Sequence, residues 1–227
     1  MSVILVVAAH PDDEILGVGG TIAKSVAKGD KAYALILGEG QTSRWDSREV
    51  ADSSAVEDLH RNTLEAGKII GYSDVFFENL PDNRFDSVDL LDIVKCVEKY
   101  INKIKPEVVY THYQGDLNID HQITFQAVLT ATRPIGDYSV KEIYQFETVS
   151  STEWNFGNRT GVFAPNVFIN IEDFFNKKCE AMEKYESELC EFPHPRSLKM
   201  LEAVAQVRGS MIGRHYSEAF ELVRIVD

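Results

Sequence analysis

Ala9-His10-Pro11-Asp12-Asp13-Glu14 is the stretch around which the rest of the chain is organised. It follows an apolar run, Val3–Ala8, and precedes the segment Gly17-Val18-Gly19-Gly20. The pattern predicts a strand, a tight turn and a helix, because proline fixes φ at a value that suits a turn or a first helical position. In α/β folds, residues that follow such a strand lie at the sheet edge where ligands bind. We therefore expect functional side chains in this turn.

The three acidic residues of this turn allow two interpretations. Asp12, Asp13 and Glu14 fall at the start of the predicted helix, where exposed backbone N–H groups favour negative charge. One carboxylate is enough to cap a helix, however, and three adjacent carboxylates repel one another. His10 and Asp13 could both reach one metal ion, which would leave Asp12 free to transfer protons. We therefore favour a metal-binding turn over a simple helix cap.

Composition narrows the class of protein. The 227 residues include 23 Lys and Arg against 36 Asp and Glu, a formal net charge of −13. This charge argues against nucleic acid or an anionic membrane surface as the main partner. No apolar run approaches the roughly 20 residues that span a bilayer, and the amino terminus lacks signal-peptide features. Cys96, Cys179 and Cys190 show no zinc-type spacing, which predicts free thiols in a reducing, cytoplasmic compartment.

The rest of the chain alternates strand-like and helix-like segments. Apolar runs of strand length lie at residues 31–37, 75–77, 107–111, 141–146 and 167–171. Segments with helical spacing lie between most of them, and helices near 172–188 and 198–212 are expected to close the chain. Nearly continuous apolar strands are typical of parallel sheets. The pattern predicts one α/β domain over residues 1–227, a doubly wound and mostly parallel sheet with helices on both faces.

A second polar segment, Asp116-Leu117-Asn118-Ile119-Asp120-His121, follows the predicted strand at 107–111. Parallel strands bring their carboxyl ends to one sheet edge. His10, Asp13 and His121 would then supply two imidazoles and one carboxylate, with a position left open for water, as in catalytic zinc sites. Zinc lowers the pKa of bound water to about 7, and Asp12 could accept the proton. The same ligand set suits Fe²⁺, so another divalent metal stays open.

The two polar segments resemble those of the PIG-L/LmbE-like family of zinc-dependent N-deacetylases. Further similar motifs are Gly17-Val18-Gly19-Gly20, Gly38-Glu39-Gly40, Leu80-Pro81-Asp82 and Ser217-Glu218-Ala219-Phe220. The resemblance implies a Rossmann-like fold and removal of the acetyl group from an N-acetylglucosamine-type amino sugar or its conjugate. It also implies metal ligands at His10, Asp13 and His121, with Asp12 as general base. Many members have a histidine three residues before the third ligand, where this chain has Asn118.

The identity of the general acid is the open part of this predicted site. Asn118 can donate a hydrogen bond to an oxyanion but cannot deliver a proton. Asp12 would therefore return the proton that it took, or His112 or His194 would supply one. The expected partner is a small N-acetylated sugar conjugate, and its candidate contacts are Arg44, Asp116 and Arg196.

Three other functions fit parts of the pattern. A dinucleotide-binding dehydrogenase is suggested by Gly17-Val18-Gly19-Gly20 after a strand, but Asp12 and Asp13 would repel a pyrophosphate at the helix start. A non-haem Fe²⁺ oxygenase would use the same two histidines and one carboxylate, although it needs no second carboxylate beside the ligand. A relative that binds metal and a sugar or nucleotide sugar without hydrolysing it would also retain these residues.

Overall fold

A seven-stranded sheet forms the centre of the computed structural model, which describes residues 1–46, 48–50, 52–136, 138–156 and 161–227. The strands are β1 Val3–Ala8, β2 Lys31–Gly38, β3 Asp74–Leu80, β4 Val108–His112, β5 Glu142–Phe146, β6 Val167–Asn170 and β7 Ser217–Ile225. Their spatial order is β3-β2-β1-β4-β5-β7-β6. Strands β1 to β5 are parallel, whereas β7 is antiparallel to both β5 and β6.

Helices cover both faces of this sheet. They are α1 Asp13–Ala27, α2 Ser53–Ile70, α3 Leu90–Ile104, α4 Ile119–Ala131, α5 Phe175–Met182 and α6 Leu198–Ser210. Helices α1, α2, α5 and α6 share one apolar layer, which includes Ile22, Ile70 and Leu201. Helices α3 and α4 form the opposite layer, which includes Val97 and Val128. The predicted α/β class, with a mostly parallel sheet between two helical layers, is confirmed.

Strand β1 occupies the position that decides where the site lies. It pairs with β2 on one side and with β4 on the other. The sheet grows from β1 through β2 to β3 in one direction and from β4 to β5 in the opposite direction, so the strand order reverses between β1 and β4. Ligands of doubly wound folds bind beside the carboxyl ends of strands at such a switch point. The turn after β1 and the loop after β4 therefore meet, as the sequence predicts. Among the described residues, no helix combines the length and apolar character needed to cross a bilayer.

The carboxyl-terminal third departs from the sequence prediction. Helix α5 ends at Met182, well before the predicted end near residue 188, because the chain turns inward to bury Tyr185 and Glu188. The chain closes with β7, a strand that the periodicity analysis does not predict, inserted between β5 and β6. Part of the segment between β5 and β6, residues 157–160, lies outside the described residues.

The glycines of α1 serve close packing. A Cβ atom at Gly17 would overlap the ring of Phe146 in β5, and one at Gly20 would lie 2.7 Å from the Ile171 side chain. These contacts explain the glycine-rich segment without a phosphate ligand. The segment lets α1 approach its neighbours closely.

A buried ion pair joins α1 to α5 and β7. Lys178 Nζ lies 2.6 Å from Glu218 Oε1 and also donates to the Leu16 carbonyl at 2.7 Å. The Glu218 carboxylate accepts the backbone N–H groups of Gly20 and Thr21 at 2.9 and 2.6 Å. The Lys178 and Glu218 side chains are only 7% and 5% exposed. Three elements distant in sequence are thus held together by one carboxylate.

We expect Glu218→Ala to lower the free energy of unfolding by about 3–5 kcal/mol, because it leaves the Lys178 ammonium buried without a counter-charge. Urea denaturation measures this change as a lower midpoint. Glu57→Ala, at an exposed glutamate of α2, is the control and should stay within about 0.5 kcal/mol of the parent. Equal stability of the two variants would contradict a structural role for the pair.

Candidate metal centre

The turn after β1 holds its backbone in a rarely populated conformation. Asp12 has φ 97°, in a region that residues with a side chain disfavour. The Asp12 carbonyl accepts the N–H groups of Ile15 and Leu16, both at 2.9 Å, and the Asp12 N–H donates to Glu14 Oε2 at 3.0 Å. The first turn of α1 therefore fixes the conformation. Strain of this kind is concentrated at functional sites.

Donor atoms of His10, Asp13 and His121 converge beside this turn, all within 4.8 Å of one another. Asp13 Oδ2 lies 3.5 Å from His10 Nδ1 and 3.4 Å from His121 Nε2. Metal bonds of about 2.0–2.2 Å in a tetrahedral zinc site place neighbouring ligand atoms roughly 3.3–3.6 Å apart. The spacing of these three side chains therefore fits a zinc ion. The two loops that supply them meet as predicted.

Each of the two imidazoles faces a second carboxylate with its other ring nitrogen. His10 Nε2 lies 2.9 Å from Asp120 Oδ2, and His121 Nδ1 lies 3.2 Å from Asp116 Oδ1. Metal-binding histidines commonly have a carboxylate in this position, which fixes the ring orientation and raises its basicity. Asn118 caps α4 by accepting the Asp120 N–H at 2.8 Å. Only the folded chain reveals these pairings.

Charge in the centre favours a cation between these groups. Burial opposes protonation of His121, but Asp13 and Asp116 raise its pKa to about 9. Burial likewise opposes protonation of His10, yet its hydrogen bonds to Asp120 and Asp13 raise its pKa well above the usual range. Metal binding requires that such imidazoles lose their protons. A divalent ion would supply the positive charge that the carboxylates attract.

Asp12 lies beside the three converging groups without belonging to them. Its side chain is buried, and burial together with the charge of Asp13 raises its pKa well above the usual range. Arg196 Nη1 approaches Asp12 Oδ2 to 3.4 Å. A carboxyl group with a raised pKa is suited to both accept and release a proton near neutral pH.

The two histidines considered as general acids lie outside the cavity in front of the centre. His112 is completely buried, its Nε2 accepts the Ala9 N–H at 2.9 Å, and burial lowers its pKa to about 3. His112 is therefore held neutral. His194 Nδ1 accepts the Arg196 N–H at 3.1 Å. A catalytic role for His194 remains a prediction.

The cavity in front of the centre has a volume of about 230 Å³. Of the predicted substrate contacts, Arg44 and Arg196 line it, as does Asn118, whose Nδ2 donates to Asn83 Oδ1 at 2.9 Å. Asp116 lies behind His121, where it accepts a hydrogen bond from Thr152 Oγ1 at 2.6 Å. Predicted site residues are thus brought together, except for Asp116 and His194, which do not reach the cavity wall.

Comparison with known proteins shows to which family this chain is similar. The PIG-L family model, described as GlcNAc-PI de-N-acetylase, matches residues 5–132. The uncharacterized deacetylase YaiS of Escherichia coli K12 is 30% identical over 190 residues, which cover 81% of this chain and 90% of that protein. A probable N-acetyl-alpha-D-glucosaminyl L-malate deacetylase 2 of Bacillus anthracis is 23% identical over 192 residues, which cover 82% of this chain and 80% of that protein.

A solved structure supports the fold. The N,N′-diacetylchitobiose deacetylase from Pyrococcus horikoshii superposes with a TM-score of 0.78 at 17% identity, covering 98% of this chain and 84% of that one. The family model spans more than half of the chain, including both segments on which the sequence resemblance depends. The chain belongs to the PIG-L/LmbE-like family.

Proposed function

We propose that this chain is a zinc-dependent N-deacetylase that removes the acetyl group from an N-acetylglucosamine-type amino sugar or its conjugate. The relatives described above are named deacetylases, which supports an amide-hydrolysing enzyme. The observation that carries the proposal is the convergence of His10, Asp13 and His121 beside Asp12, a buried carboxyl group that is not one of the three.

His10, Asp13 and His121 would hold the metal ion. When bound, Zn²⁺ lowers the pKa of water to about 7 and polarises a carbonyl group, so that hydroxide is available at neutral pH. Asp120 would orient the His10 imidazole through its hydrogen bond to Nε2, and Asp116 lies 3.2 Å from the His121 nitrogen Nδ1. The chain thereby contributes two neutral ligands and one charged ligand in fixed positions.

Asp12 transfers the proton in this proposal. It accepts a proton from the attacking water while the C–O bond forms at the acetyl carbon. It then gives that proton to the amide nitrogen while the C–N bond breaks, which releases acetate and the free amine. Asn118 has a second amide hydrogen that can donate to the acetyl oxygen as negative charge develops there. No histidine is required as the acid, which agrees with the positions of His112 and His194.

The polar cavity wall supports a sugar as the substrate. Ser43 donates to Asp82 Oδ2 through both its N–H and its hydroxyl, at 2.9 and 2.6 Å, and Asn83 Nδ2 donates to Ser43 Oγ at 3.0 Å. Sugar hydroxyl groups can both donate to and accept from such side chains. The volume of about 230 Å³ lies below the roughly 300–1,000 Å³ typical of drug-sized ligands. It suits one sugar ring rather than a longer segment.

We expect the zinc-loaded protein to release acetate from N-acetylglucosamine conjugates such as N,N′-diacetylchitobiose. Asp12→Asn should slow this release by about 10²–10⁴-fold or more, because the proton acceptor is lost. Acetate assays combined with elemental analysis should find unchanged zinc in this variant. Asp92→Asn, at an exposed aspartate of α3, is the control. Full activity of Asp12→Asn would refute the assigned role.

Removal of the metal should abolish acetate release. Dialysis against a chelator is expected to inactivate the protein, and added zinc to restore activity. His121→Ala should bind no stoichiometric metal after purification, whereas His215→Ala, at an exposed position, should match the parent. Elemental analysis of the parent also identifies the native metal. Undiminished metal in His121→Ala would remove this residue from the ligand set.

Asp120→Asn should weaken zinc affinity by about 10–100-fold, because His10 loses the carboxylate that orients and polarises its ring. The asparagine oxygen can still accept the Phe85 N–H that Asp120 accepts at 2.9 Å, so the fold should persist. Competition with a chromogenic chelator measures the affinity. Asp86→Asn, at an exposed aspartate, serves as control. Equal affinities for the two variants would exclude the orienting role.

A further inference from the structure

Glu188 holds two arginines of the cavity wall on one buried carboxylate. Its Oε2 lies 2.6 Å from Arg44 Nη2 and 2.9 Å from Arg196 Nη1. Its Oε1 accepts a hydrogen bond from Gln41 Nε2 at 2.7 Å. Glu188 is only 5% exposed. The two cations that could meet an anionic substrate therefore already share one buried carboxylate, although the Arg44 side chain is 45% exposed.

The other charges of the cavity reinforce this pairing. Beside the two guanidinium groups, the cavity is lined by the carboxylates of Asp12, Asp13, Asp82 and Glu188. One divalent cation in the metal centre would balance these groups without any excess of positive charge. An anionic ligand that drew both guanidinium groups away from Glu188 would leave this buried carboxylate with only neutral hydrogen-bond donors, Gln41 and Ser187.

A second cleft lies next to the cavity, and Gln41 and Leu59 line both. It has a volume of about 690 Å³ and lies between α2 and the segment 183–187. Its charged side chains are mostly acidic: Asp58, Glu65, Glu183 and Glu186 stand against Arg61 and Lys184. A part of the substrate that extends beyond the first sugar ring in this direction would meet a negative surface, which disfavours carboxylate or phosphate groups.

We propose that Glu188 is a specificity-determining residue, which adapts the site to uncharged N-acetylated sugar conjugates and excludes those that carry carboxylate or phosphate groups. This inference rests on the proposed deacetylase function and narrows its substrate class. Two relatives define the alternatives, since one is named for a neutral disaccharide and the other for an L-malate conjugate. This chain belongs with the first class by the charges of its cavity.

The test compares kcat/KM for N,N′-diacetylchitobiose and for N-acetylglucosaminyl L-malate. The parent should prefer the neutral disaccharide by at least tenfold. Glu188→Gln should shift the ratio towards the malate conjugate by at least tenfold, because Arg44 and Arg196 lose their shared counter-charge. Glu191→Gln, at an exposed position of the same segment, should leave the ratio unchanged.

A parent that prefers the malate conjugate, or an unchanged ratio in Glu188→Gln, would overturn the inference while leaving the deacetylase proposal intact. Should Glu188→Gln fail to fold, Arg44→Gln decides: a selective loss of activity on the malate conjugate would overturn the inference, and an unselective change supports it.

If neither conjugate is hydrolysed, the deacetylase proposal fails for both. Calorimetric titration of both intact conjugates into the parent protein then still tests charge preference. Tighter binding of the disaccharide supports the inference, and equal, weaker or absent binding overturns it.

Discussion

Burial of three adjacent carboxyl groups is the constraint on which the site depends. The acids at positions 12–14 are 4%, 3% and 1% exposed, and a buried charge is tolerated only when a partner compensates it. The partners come from distant parts of the chain: His10 and His121 for Asp13, Tyr185 for Glu14, and Arg196 for Asp12. The turn after β1 thus draws the loop after β4 and the segment before α6 over itself.

The β1 turn and its neighbours could be predicted because their signals are local. A buried strand followed by His10-Pro11-Asp12-Asp13 places these polar side chains at a sheet edge, and the parallel order brings His121 to the same edge. The seventh strand could not be predicted in the same way. Its short motif around Glu218 is explained by contacts with Lys178 and α1, which only the folded chain brings together.

The positions of Asp116 and Asp120 behind the two histidines could not be predicted, for the same reason. Asp116 and Asp120 stand close to His121 in sequence, and spacing alone does not separate a helix cap from a partner of an imidazole. The arginines illustrate a related limit. In the sequence, Arg44 and Arg196 indicate positive charge near the site. In the folded chain the Glu188 carboxylate contacts both guanidinium groups, so a substrate would meet two ion-paired arginines. Residue type predicts which groups are present, whereas pairing determines which of them remain available.

The contacts of His10 have a consequence for how metal and fold are related. Its Nε2 is fixed on Asp120, and its backbone N–H donates to Asp13 Oδ2 at 2.9 Å. Folding itself therefore orders the His10 side chain and includes the cost in conformational entropy of ordering it. In small zinc modules, by contrast, the ion drives folding. Here hydrogen bonds within the protein already hold His10 against Asp13 and Asp120, so the position of this imidazole would not depend on an ion.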